Sequence, residues 1–327
     1  MHCLRRRHLL TYFPSRERPE PLFGSEPKGK VAGRMISLIG DSLSTAFHIS
    51  SPPAMLVRMW GEWKRNWFLN LPSEKEVPPS VVERLGRLGT TTGVLHASSG
   101  AKVDNGYRRS ILDRVTNTWH FSHQVDEVLS GRFPDILLIW IGHNNVDWKS
   151  QTNSPTHESF LALSDKFIDR YERQLRRLLA GALASNQRAA LVVFGLINFE
   201  AFFQARNEAE SMRRADGSLY PYLESGYKYF VSMKPEYRDG MIGLAGLYNQ
   251  KLNVLCQKLG EQLSGSEIRL VYSDAMAVAR IDKSNFLCAV DAWHASPYGH
   301  SVLADSVYPI VQDQANFLGW TNPTPAA

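Results

Sequence analysis

Cysteine is scarce in this chain: Cys3, Cys256 and Cys288 are the only three in 327 residues, odd in number and far apart. That pattern supplies neither a disulfide framework nor the paired thiols of a structural zinc site, and it leaves the redox compartment open. Long apolar runs are missing as well. Mean hydropathy is −0.27, and nothing approaches the ~18 consecutive apolar residues of a membrane-spanning helix. The basic start is followed by only a short semi-apolar patch, residues 8–13, before Pro14. A secretory leader needs ~7–15 apolar residues and a small-residue cleavage site, so none is expected. An Arg-rich, acid-poor start also suits an organelle transit segment; the cytoplasm is the expected compartment.

The body of the chain also lacks an excess of either charge. The formal net charge is +5, and residues 1–34 carry all of it, with eight basic residues against Glu17, Glu20 and Glu26. The other 293 residues hold 29 basic and 29 acidic side chains. A nucleic-acid groove built into a fold needs a basic fold, so no nucleic-acid partner is expected.

What is present is apolar material in short, regularly spaced runs. Residues 14–33 alternate Pro and Gly with charges and read as part of a loosely attached arm, 1–33, ahead of one domain over 34–327. Five apolar runs then have the length of buried parallel strands: 35–39, 93–97, 136–141, 190–197 and 268–272. Between them lie helical-period segments at 160–179, with Phe167, Tyr171, Leu175 and Leu178 on one face, and at 244–263. A last helix is expected from Ser296 as N-cap with Pro297 at the first position. Strands alternating with helices imply an α/β domain whose parallel sheet is covered on both faces. Segments 51–92 and 198–243 are too long for simple connections and read as insertions with short helices of their own.

Functional groups of an open parallel sheet gather beyond the carboxyl ends of its strands. Four of the five runs are followed by such groups: Gly40-Asp41-Ser42-Leu43-Ser44, Ser98-Ser99-Gly100-Ala101, Gly142-His143-Asn144-Asn145 and, farther on, Asp291-Ala292-Trp293-His294. Singly each has a bland explanation as a turn, a cap or a surface histidine. At the strand ends of one sheet they compose an acyl-transfer apparatus.

These four blocks, in this order, resemble the SGNH hydrolases, also called the GDSL lipase/esterase family. The resemblance implies a three-layer α/β/α sandwich, flavodoxin-like, with a mostly parallel five-stranded sheet. It also implies an esterase or lipase that needs no cofactor and no metal. Carried over by position, Ser42 is the expected nucleophile, His294 its general base and Asp291 the carboxylate that orients His294. The expected oxyanion donors are the backbone N–H of Ser42, the backbone N–H of Gly100 and the side-chain amide of Asn144. The chemistry is sound independently: a serine hydroxyl needs an imidazole to take its proton, and the imidazole needs a carboxylate to fix its tautomer. One departure is visible, since Asn145 stands where the family pattern has Asp. Asp41, next to the nucleophile, is expected to brace its loop and to take no part in proton transfer.

Other readings of the same residues fare worse. His143, Asp147, Asp291, His294 and His300 lack any metal-ligand spacing. A nucleotide-binding module would carry a Gly-rich loop after the first strand, where Asp41 and Ser42 stand instead. A non-catalytic relative would be expected to have lost Ser42, Asp291 or His294. An acyltransferase with the same residues is the alternative within the class, because the blocks do not choose between water and another alcohol as acceptor. The expected partner is a small-molecule or lipid ester. Leu56, Trp60, Trp63 and Trp67 fall at helical spacing, so segment 56–69 reads either as an amphipathic lid that touches lipid or as a helix packed on the sheet. Oligomeric state is not encoded.

Overall fold

The computed structural model describes residues 33–45, 66–69, 79–98, 100–104, 118–152, 155–211, 235–287 and 293–320. They build one sheet of five parallel strands, β1 (Arg34–Gly40), β2 (Thr91–Leu95), β3 (Ile136–Trp140), β4 (Ala189–Phe194) and β5 (Ile268–Ser273), in the order β2-β1-β3-β4-β5. Burial explains that order. β3 and β4 are buried at every residue and occupy central positions, whereas β2 and β5 at the edges are half-buried over most of their length. Unbroken apolar strands need cover on both faces.

Helices provide it. Along the chain come α1 (Val81–Gly86), α2 (Phe121–Ser130), α3 (His157–Ala184), α4 (Phe199–Ser211), α5 (Pro235–Glu261) and α6 (Pro297–Phe317). α2, α3 and α5 pack side by side, reaching β1 and β5, while α1 and α6 pack on each other and reach β2 and β3. The 28-residue α3 buries Phe167, Tyr171, Leu175 and Leu178, the apolar face read from the sequence. α6 starts as expected, with the Ser296 hydroxyl accepting from Gly299 N–H at 3.0 Å and Pro297 following.

Three boundaries differ from the sequence reading. β2 pairs in register from Arg34↔Thr91 to Leu38↔Leu95, so it begins two residues early. Beyond Leu95, His96 and Ser98 each keep a single N–H bond, to the Leu38 and Gly40 carbonyls. β4 stops at Phe194 because the Asn249 side chain takes over the pairing, accepting from Leu196 N–H at 2.7 Å and donating to its carbonyl at 3.0 Å. α5 reaches back to Pro235, with Tyr237, Met241 and Leu244 buried at helical spacing. Of segment 56–69, residues 66–69 alone are described. Residues 66–68 form a bend, not a helix, and Trp67, Phe68 and Leu69 are buried. The Trp67 ring meets Trp140 and Phe194 edge-on, so this end of the segment belongs to the core.

Among the described residues no helix is long and apolar enough to cross a membrane.

Candidate active site

The strand order reverses direction between β1 and β3, and the crevice at such a switch point is where open α/β sheets bind ligands. Ser42 leaves the carboxyl end of β1 and Asn144 that of β3. A Cβ at Gly40 would lie 2.2 Å from the Ser44 hydroxyl, so only glycine lets the chain turn there. Ser42 opens a 3-10 turn, Ser42–Ser44, capped by Asp41, whose Oδ1 accepts from Leu43 N–H at 3.2 Å. The Ser42 carbonyl accepts from the Thr45 backbone and hydroxyl, and Ser42 is 9% exposed. The turn is thus rigid, with its serine only narrowly open to solvent.

Upstream, Gln124 from α2 treats Gly40 as a neighbouring strand would. Its Oε1 accepts from Gly40 N–H and its Nε2 donates to the Gly40 carbonyl, both at 2.9 Å, with a further bond to the Trp119 carbonyl. Nothing local in the sequence marks Gln124, which is a fully buried amide on a helix face.

Gly100 sits at φ +74°, a conformation L side chains rarely adopt, inside a turn closed by Ala101 N–H to the Ser98 carbonyl. Gly142 is at φ +135°, and a Cβ there would press on Phe167 and Leu196 at 3.1–3.2 Å. It caps the turn His143–Asn145. Asn144 Nδ2 donates to the Ala101 carbonyl at 2.9 Å, which binds the third block to the second. Asn145 exchanges two bonds with the Val103 backbone, its Oδ1 accepting from N–H at 2.8 Å and its Nδ2 donating to C=O at 3.2 Å. A carboxylate can only accept, so asparagine suits this position where the family pattern has Asp.

Asp41 is fully buried and joins the first block to the third. Its Oδ2 accepts from Gly142 N–H at 3.3 Å, His143 N–H at 3.1 Å and His143 Nδ1 at 2.8 Å. Asp41 therefore braces the two loops, the role read for it from the sequence.

His294 is 6% exposed and immediately precedes Ala295, whose antiparallel bridge to Leu287 closes the loop at the start of α6. Ser296 N–H donates to the Phe286 carbonyl at 2.7 Å. α4 grips this loop at two points. Glu208 accepts from Ser284 N–H at 2.6 Å, and the Phe202 ring meets Trp293 edge-on at 5.0 Å, with the buried Arg206 guanidinium 5.8 Å from the same indole. His294 lies close enough to His300 to help burial push that imidazole from 6.5 down to about 3. His300 Nδ1 in turn accepts from Trp67 N–H at 3.2 Å.

The first three blocks are thus tied by direct hydrogen bonds, and the fourth adjoins them through His300, Trp67 and Trp140. Asp291 lies outside the described residues, as do Ser99 and residues 46–65. Among the described residues no three His, Cys, Asp or Glu side chains group as metal ligands; His143 and Asp147 in particular turn to Asp41 and Tyr237.

The family model for GDSL-like Lipase/Acylhydrolase matches residues 36–307. No curated protein matches the chain. Among solved structures it is similar to the native aryl esterase of M. smegmatis, at 12% identity over 86% of this chain and 100% of that one, with TM-score 0.47. A carbohydrate acetylesterase family member from Sinorhizobium meliloti matches at 12% identity over 88% and 99%, TM-score 0.44. A lipase from a goat rumen metagenome matches at 14% identity over 84% and 96%, TM-score 0.46.

Proposed function

Because the chain belongs to the GDSL-like lipase/acylhydrolase family, we propose that it cleaves a carboxylic ester through an acyl intermediate on Ser42. His294 takes the Ser42 proton as the hydroxyl attacks the ester carbonyl, and Asp291 orients the imidazole and offsets its charge. The tetrahedral oxyanion is held by the N–H groups of Ser42 and Gly100 and by Asn144 Nδ2. The amide nitrogen of Asn144 carries two hydrogens; the bond to Ala101 uses one and fixes the plane of the other. His294 then returns the proton to the leaving alcohol and activates the water that releases the acid.

The observation that carries this reading is the direct tie between three loops at the β1/β3 switch point, Asp41 to His143 and Asn144 to Ala101. Preorganised donors of this kind are the largest single contribution in acyl transfer, each worth about 10²–10³ in turnover. The reading predicts hydrolysis of p-nitrophenyl esters somewhere between acetyl and palmitoyl, and loss of at least about 10³-fold in Ser42→Ala. A fluorophosphonate should label Ser42 and no other serine. Turnover undiminished in folded Ser42→Ala would sink the mechanism. The preferred chain length separates a small-acyl esterase from a lipase.

A further inference from the structure

His143 has a buried carboxylate neighbour, Asp41, in reach, and the geometry gives the pair work other than proton transfer. We propose that His143 is a positioning residue: its neutral imidazole, protonated on Nδ1, locks the loop bearing Asn144 to the loop bearing Ser42 and to the end of β4. The proposal rests on the reading of Ser42 and Asn144 given above.

The tautomer follows from the partners. Asp41 Oδ2, 2.8 Å from Nδ1, is a carboxylate oxygen and accepts, so Nδ1 carries the hydrogen. Ile197 N–H, 3.4 Å from Nε2, is an amide and donates, so Nε2 is bare. An imidazolium would set N–H against N–H at Ile197. The other tautomer would fail at both ends. One protonation state alone satisfies the two contacts. The ring is held edge-on to Trp140 at 4.8 Å and tilted to Phe199 at 6.3 Å, and it is 8% exposed.

The pair is therefore built like the base and carboxylate of a triad, yet its free nitrogen is spent on a peptide N–H and is not offered to a hydroxyl. It cannot take the Ser42 proton while that bond stands. What it does instead is join three strand ends. Asp41 precedes Ser42 after β1, His143 precedes Asn144 after β3, and Ile197 follows β4. Gly142 on its other side is at positive φ and supplies no side-chain anchor of its own. Beside the Gly142 and His143 amides, the His143 ring is the side-chain link from this loop to Asp41 and the one that also reaches the end of β4. The placement of Asn144 relative to Ser42 therefore depends on it in part, and oxyanion donors work only within about 0.5 Å of their geometry.

The test uses the rate of Ser42 labelling by a fluorophosphonate, separated into the maximal first-order constant and the half-saturating concentration, in the full-length protein. His143→Ala should lower the maximal constant about 10- to 100-fold and leave the half-saturating concentration within about 3-fold. On an Asn144→Ala background the same change should cost less than about 3-fold more, because the group it positions is gone. His143→Asn places an amide N–H where Nδ1 stands and should restore most of the rate. His143→Gln mimics Nε2, misses Asp41 and should not. Independent, multiplicative losses in the double variant would overturn the proposal, as would equal rates for the Asn and Gln variants. Should His143→Ala fail to fold, the Asn and Gln pair decides alone. Labelling that survives Ser42→Ala would sink the reading of the site and this proposal with it. Labelling lost in Ser42→Ala but indifferent to His143 would sink the proposal alone.

Discussion

A buried carboxylate persists only where donors replace the water it has lost, and Asp41 has four: the amides of Leu43, Gly142 and His143 and the His143 ring. Aspartate beside Ser42 is thus explained by what it holds. Histidine roles divide in the same manner. His143 has both ring nitrogens engaged, while His300 gives its Nδ1 to Trp67 N–H, and burial together with nearby His294 pushes its pKa to about 3. In the unfolded chain that imidazole titrates at about 6.5. Its contribution to stability is therefore complete above about pH 6.5 and is lost as pH falls towards about 3, because the unfolded chain binds a proton that the folded one refuses. His300→Asn can still accept from Trp67 N–H but does not titrate. Between pH 7 and pH 5 the wild type should lose about 2 kcal/mol more stability than this variant in chemical denaturation. Equal losses would show that His300 does not govern the slope.

At the scale of elements, the site is assembled from strand ends, and the helices around it hold the loops that leave those ends. α2 sends Gln124 to both peptide groups of Gly40, α5 sends Asn249 to those of Leu196, and α4 grips the loop before α6 through Phe202, Arg206 and Glu208. The first two satisfy peptide groups at the ends of β1 and β4, where the chain must turn. The start of α6 is the local counterpart: Ser296 accepts from Gly299 N–H and donates its hydroxyl to the Asn285 carbonyl at 2.6 Å. Ser296→Ala removes both, and the denaturation midpoint should fall by the equivalent of about 1–2 kcal/mol with the slope unchanged. A loss confined to the cap leaves Ser42 labelling intact. A collapse of labelling at full stability would mean that the cap also sets His294. That helix start was legible in the sequence because capping is a contact over three residues. Gln124 and Asn249 were not, since each bonds a backbone group 84 or 53 residues away.

For the molecule as a whole, charge and chemistry lie in different parts of the chain. Residues 1–33 hold four of the five formal net positive charges and Arg34 at the start of β1 the fifth, and the four blocks come afterwards. We expect a chain lacking residues 1–33 to keep its melting temperature and its Ser42 labelling, and to lose most of its retention on a cation exchanger. A fall in either of the first two would refute the reading of those residues as an arm separate from the domain. The sequence by itself determined the five strands to within a few residues, the burial of α3, the start of α6 and the residue types at the strand ends. Those features depend on periodicity, caps and glycine conformations, which act over a few neighbouring residues. Only the tertiary structure decided that Trp67 belongs to the core, that Asn145 pairs with Val103, and that His143 turns to Asp41 and Ile197. A side chain's partner is set by which distant segments pack against it, and Asp41 and His143 stand 102 residues apart in the chain. Burial supplies the rest of the reason, because a polar group removed from water must take whichever donor or acceptor the packing brings within reach.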